Sequence, residues 1–181
     1  LKIKLAELRT KYKDNNQEDF LPGKSFKELT HKGVGSKVSL AYPFSKKYSG
    51  GDLNALTDGR VSVDDLSQVE DRDVWQGFEE NDMIATIDLA SEMKTESISV
   101  GFLHNTDSWI FSPDWVEISV SDDNKTYQIL EKVKRMVPVK SGNEMRLNYE
   151  MSLKNTKARF VRIHAKNVGI CPQWHKGAGG K

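Results

Sequence analysis

The chain has one cysteine in 181 residues, Cys171, so no internal disulfide staples it. Its length makes staples unnecessary, because a chain of this size buries enough apolar surface for one domain. No apolar run approaches the roughly 18 residues of a membrane-spanning helix, and no charged-apolar-small leader opens the sequence. A surplus of one charge is also missing, with 27 Lys plus Arg against 26 Asp plus Glu. That balance lacks the basic footprint of a nucleic-acid or anionic-membrane partner. There is no glycine-rich phosphate loop, no HExxH and no GxSxG, and His31, His104, His164 and His175 show no metal-ligand spacing. An enzymatic reading therefore has no catalytic constellation to rest on. The chain opens on Leu1, and the expectation is a piece cut from a longer protein.

What the sequence does contain is alternation. Residues 97–103 place Ile98, Val100 and Phe102 on one side and Ser97, Ser99 and Gly101 on the other, the period of a half-buried strand. Residues 115–121 repeat it with Val116, Ile118 and Val120. Further strands are expected at 37–41, 83–89, 145–153 and 158–165, with Trp75 and Phe78 as core aromatics. The polar turn 121–127 is expected to return Tyr127 and Ile129 to the core. Residues 1–15 read differently: Leu1, Leu5, Leu8 and Tyr12 form one stripe, and Glu7 with Lys11 is a favourable i,i+4 pair, which predicts a helix. Many short strands with no interleaved helices argue an all-β, antiparallel jelly-roll sandwich with an N-terminal helical extension. Residues 1–33 then read as helix and linker from a preceding domain, and 34–181 as the sandwich, its closing strand expected to be missing.

Two loops carry the candidate chemistry. The loop 104–114 holds His104, Asn105, Asp107, Trp109 and Phe111, and the glycine-rich end 167–181 holds a Trp174-His175 pair read as exposed. Sugar binding needs an aromatic ring against the apolar face of a pyranose and polar side chains for its hydroxyls. Trp109, Phe111 and Trp174 are the available rings, with His104, Asn105, Asp107, Arg162 and His175 as polar candidates. The alternative is packing, in which Trp109 and Phe111 close the mouth of the sandwich and Trp174 with His175 pins the terminal loop. Cys171, between Ile170 and Pro172, reads as a small buried hydrophobe. The turn 52–59 collects oxygens from Asp52, Asn54 and Asp58, which suits either a calcium ion or an Asx turn without metal.

The run Asn54-Ala55-Leu56-Thr57-Asp58-Gly59, then Trp75, then Ile87-Asp88-Leu89, the turn SDDNKTY at 121–127 and ARFVRIHAKN at 158–167 together resemble a coagulation-factor five/eight type C, or discoidin, domain, related to family 32 carbohydrate-binding modules. SWIFSPDWVEISVSDD and ICPQWHKGAGGK are similar to the C-terminal domain of bacterial chitobiases, β-N-acetylhexosaminidases of the family 20 glycoside hydrolase kind. The resemblance implies a non-catalytic jelly-roll module that holds a parent hydrolase on glycans ending in galactose or N-acetylglucosamine. It implies a monomer in a bacterial periplasm or at the cell surface. It also implies a structural calcium at the turn, with Ala55 supplying a carbonyl and Asp58 a side chain. By loop, the sugar set it implies is His104, Asn105, Asp107, Trp109, Trp174 and His175. Three departures stand out: the insertion at 60–73, a last strand expected to be missing, which often supplies an acidic calcium ligand in such modules, and the absence of an Arg from the 104–114 loop. A structural domain packing on the catalytic domain without sugar affinity is the alternative function.

Overall fold

The computed structural model describes residues 2–10, 26–28, 30–51, 53–62, 75–140 and 144–180. Within them run β1 (Lys2–Thr10), β2 (Phe26–Glu28), β3 (Lys37–Leu40), β4 (Arg60–Ser62), β5 (Gln76–Glu79), β6 (Met83–His104), β7 (Trp115–Ser121), β8 (Gln128–Lys134) and β9 (Met145–Ala165), with short 3-10 turns at Leu53–Leu56 and Thr106–Ser108. All pairings are antiparallel. The main path is β5-β1-β6-β9-β7-β8, with β3 on β6, while β2 and β4 form a separate ribbon.

The two long strands make the sandwich. Met83 to Asp88 of β6 pair with Ala165 to Phe160 of β9, and Ser97 to His104 pair with Ser152 to Met145. Between these halves the register shifts and the backbone turns, with Ala90, Lys154 and Asn155 all in the left-handed region (φ 66, 51 and 56). A bulge of this kind bends a strand pair sharply, so one ladder serves both layers. The inward side chains of the two halves meet in one core. Met83, Ala85, Ile87 and Leu89 pack with Ile98, Val100 and Phe102, and against them lie Val116, Ile118, Tyr149, Val161 and Ile163. Phe102 and Tyr149 meet edge to face at 5.3 Å. Trp75 and Phe78 are buried as expected.

Two expectations are corrected. Residues Lys2–Thr10 form a strand, not a helix: β1 pairs with β5 at one edge and with β6 at the other, its register slipping between Leu5 and Glu7. The helical stripe and the alternation Lys2-Ile3-Lys4-Leu5 coexist in the same residues, and two flanking partners for the backbone decide between them, since propensity yields to tertiary context. The remainder of that segment, 11–25, lies outside the described residues, as does the insertion at 63–74. Ile129 does not return to the core either but stands 60% exposed. The β7–β8 pairing slips between Ile118 and Ser119, and a one-residue slip moves every later side chain to the opposite face.

Asp82, entering β6, ties this edge to the end of β9. It accepts hydrogen bonds from His164 Nε2 (2.9 Å), Lys166 Nζ (3.2 Å) and Asn167 N (3.0 Å). Burial alone would raise its pKa, but the donors outweigh burial and hold it below the ordinary carboxylate value. Asp88 is lowered too, chiefly by the Arg159 hydrogen bonds. Carboxylates depressed in the folded state contribute stability above their unfolded pKa and lose it as pH falls through the folded value. Thermal melts should therefore be flat near neutrality and drop below about pH 4, and Asp82→Asn should flatten that acid slope.

Candidate functional site

The aromatic loop begins where β6 runs out. Asn105 caps the Thr106–Ser108 turn, its Oδ1 accepting from Ser108 N at 3.1 Å. Trp109 closes the turn in the left-handed conformation (φ 63), a strained choice for a bulky residue that marks sites where the surroundings over-determine the backbone. Its N–H donates to Thr106 O, and Asn105 and Ile110 then pair through their backbones. The conformation aims the indole at the C-terminal segment. An added Cβ at Gly177 would lie 1.9 Å from the Trp109 ring, so this contact requires glycine.

His175 is the hub that joins the two loops. Its Nε2 lies 2.7 Å from Thr106 O, which can only accept, so Nε2 carries the proton. Nδ1 then accepts, from Gly177 N at 3.1 Å and from the Cys171 thiol at 3.1 Å. Around the ring stand Trp109 (5.2 Å), Phe111 (5.5 Å) and Trp174 (5.6 Å), each edge to face. Cys171 and Phe111 form the small apolar cluster beneath. The cysteine is buried as expected, but as a hydrogen-bonded partner of His175, not as a plain hydrophobe.

The predicted site residues thus divide. Trp174 is 40% exposed and rests its ring on Phe111 and His175. Asn105 and Asp107 sit on the adjoining turn, with Asp107 exposed, and Trp109 is half-buried beneath the terminal loop. Two expectations fail on burial. His104 is fully buried, its Nδ1 accepting from Ser112 N at 3.2 Å, because β6 continues inward through it. The Trp174-His175 pair is not exposed as a pair: His175 is drawn inside by Thr106 and Cys171. Arg162 lies elsewhere, on the outer face of β9, donating to Thr86 Oγ1 at 3.2 Å with its guanidinium 3.5 Å from the Tyr127 ring. The same face stacks Lys132 Nζ over Trp115 at 3.4 Å, with His164 at the indole edge (4.6 Å). Tyr127, expected in the core, instead lies on this outer face because its ring stacks on Arg162, and Trp115 falls on the outward side of the β7 alternation.

The turn expected to hold calcium is organised by hydrogen bonds of its own. Asp58 Oδ1 accepts from Arg60 N at 2.8 Å and Oδ2 faces Arg60 Nε at 3.2 Å, an Asx turn closed by its own cation. Asn54 O accepts from Thr57 N and Thr57 O from Gly35 N, and Ala55 is buried. Asp52 lies outside the described residues, among which no three His, Cys, Asp or Glu groups converge. Among the described residues of the turn, the Asp58 carboxylate is thus paired with Arg60, and the Asn54 and Thr57 carbonyls each accept one backbone bond.

No family model matches the chain, and no curated protein sequence matches it. Solved structures do. The lectin domain of lectinolysin, complexed with Lewis B antigen, superposes with a TM-score of 0.52 at 17% identity, covering 78% of this chain and 89% of its own. At that identity the likeness carries the fold, an antiparallel β-sandwich. A carbohydrate-binding module of family 32 from Clostridium perfringens, complexed with GalNAc-β-1,3-galactose, matches at 0.41 and 18% over 74% of this chain and 86% of that one. A third module, from a Clostridium perfringens family 31 glycoside hydrolase, matches at 0.34 and 14% over 71% and 78%.

Two measurements check this geometry. Gly177→Ala should cost about 1–3 kcal/mol in urea unfolding, as overpacking does, and shift tryptophan emission to the red as Trp109 is pushed out. Adding millimolar calcium to chelator-treated protein separates the two readings of the 52–59 turn: an ion bound at a hundredfold excess over Kd adds about 2.7 kcal/mol and raises Tm, whereas an Asx turn closed by Arg60 leaves Tm unchanged.

Proposed function

We propose that this chain is a non-catalytic carbohydrate-binding module that keeps a parent glycoside hydrolase, of the chitobiase type, on glycans ending in galactose or N-acetylglucosamine. The observation that carries the reading is the Trp174 ring: an apolar platform held at the loop end of a sandwich by packing on Phe111 and His175. A rigid exposed indole offers contact area at small entropic cost, and Asp107 and Asn105 are the polar groups next to it on the neighbouring turn. The lectin fold of the lectinolysin domain supports the same class of function. An exported bacterial setting accords with it, and no helix among the described residues is long and apolar enough to cross a membrane.

A structural domain without sugar affinity is the second reading, favoured by the burial of His104 and His175 and by the packing of Trp109 beneath Gly177. A glycan array backed by calorimetry on N-acetylglucosamine and galactose separates the two. Under the binding reading, Trp174→Ala reduces affinity at the loop end at least about tenfold, the loss of roughly 1.4 kcal/mol of stacking, with the fold intact. A folded, wild-type protein silent across the array supports the structural reading.

A further inference from the structure

The outer face of the layer formed by β3, β6, β9 and β7 carries a feature that the loop end does not use. By register, Lys37 lies opposite Asp88, Asp88 opposite Phe160 and Phe160 opposite Ser121, and the adjacent row is Ser39, Thr86, Arg162 and Ser119. A bare sheet would leave these rows flat against solvent. Instead the turn after β7 comes back over them: Asn124 adopts φ 58, and the Tyr127 ring stacks on the Arg162 guanidinium. Between turn and sheet lies a cleft of about 250 Å³ lined by Lys37, Ser39, Thr86, Asp88, Asn124 and Phe160.

The polar walls of the cleft are held in place before any ligand arrives. Asp88 is gripped by Arg159, Nε on Oδ1 at 2.8 Å and Nη2 on Oδ2 at 2.9 Å, with Ala90 N also on Oδ1 at 2.9 Å. The Arg159 guanidinium sits 4.9 Å from the Phe160 ring, and Arg162 Nε holds Thr86 Oγ1. Asn124 Oδ1 accepts from the Tyr127 hydroxyl, so its amide nitrogen brings two further donors. The carboxylate still has acceptor capacity, since Oδ2 takes one hydrogen bond from Arg159 and its lone pairs allow two.

The chemistry of the lining points to one class of ligand. The Asp88 charge is met by Arg159, and Lys37 is the one cation among the described residues of the lining, so no cluster of like charges is there to select an ion. An acceptor, donors and a hydroxyl surround one aromatic ring, which is what a pyranose with vicinal hydroxyls requires. The volume lies below the ~300–1,000 Å³ of pockets for drug-sized ligands, which limits the occupant to a single ring. We propose that this cleft is a second saccharide site, taking one neutral pyranose with its hydroxyls on Asp88, Asn124 and Lys37 and its apolar face toward Phe160. The site is independent of the loop-end reading and shares no residue with it.

The test is an amide-resolved NMR titration of the full chain with galactose and with N-acetylglucosamine, on wild type, Trp174→Ala, Asp88→Asn and Asn124→Gly. Saturable shifts at Thr86, Asp88, Asn124 and Phe160 are expected in wild type and equally in Trp174→Ala, with affinity lowered about tenfold in Asp88→Asn and Asn124→Gly, the effect of one charge-assisted or buried hydrogen bond. Asn124→Gly keeps the left-handed turn, because glycine accepts φ 58 without strain, so it decides the question if Asp88→Asn unfolds. Shifts confined to 105–111 and 171–180 would overturn the second site while leaving the loop site standing. Absence of saturable shifts at the cleft, or undiminished binding in both cleft variants, would overturn it as well.

Discussion

The structure depends on the long pairing of β6 with β9. Buried backbone N–H and C=O groups must find partners, and here two strands of 22 and 21 residues satisfy each other from Met83 opposite Ala165 to His104 opposite Met145. Neither strand runs straight through the sandwich: the ladder shifts register twice, at Ala90 of β6 and, three paired residues further on, at Lys154 and Asn155 of β9. Asp88 stabilises the bend by accepting from Ala90 N and by bridging to Arg159 across the ladder. Three further strands are placed directly by this pair: β3 and β1 dock on β6, and β7 docks on β9.

The ladder also decides where function can sit. At its far end β6 stops inside the protein, with His104 buried, and the chain has to turn out through Asn105 and the Thr106–Ser108 turn. The C-terminal loop is then latched to that turn by one imidazole, which donates to Thr106 O and accepts from Cys171 and Gly177. The exposed ion pairs on the surface, such as Lys132 with Glu117, add little stability. Their consequence is positional, because Lys132 and His164 fix the Trp115 indole between them.

Much of the scaffold was legible in the sequence because it rests on local period-two patterns. Residues 115–121 were read with the bounds of β7, and the inward sets Met83-Ala85-Ile87-Leu89 and Val161-Ile163-Ala165 are all buried. Where the outcome depends on partners distant in sequence, the pattern was insufficient. Residues Lys2–Thr10 satisfy two periods, and the edges of β5 and β6 select one. Ile129 keeps the alternation of its neighbours but falls after a slip that only the pairing with β7 creates. His104 and His175 look like ligands because they sit in polar loops, yet their hydrogen-bond partners, Ser112 N and Thr106 O, are near only after folding. The outer-face cleft had no sequence signal at all, since Lys37, Asp88, Asn124 and Phe160 come from four separate segments.

Sugar recognition in water is a contest over hydroxyl groups that the solvent already satisfies, so a protein gains only where its own polar groups are fixed in advance and an apolar face is covered at the same time. The loop end meets the second condition best, with Trp174 braced by Phe111 and His175, while its polar groups lie on an exposed turn. The cleft meets the first, with Asp88 immobilised by three donors and Asn124 by a tyrosine hydroxyl, over a smaller ring. Two weak sites on one module combine through effective concentration when a polymer can reach both. If both proposed sites are filled by one chain, the hold on a long glycan requires neither site to bind a single sugar tightly.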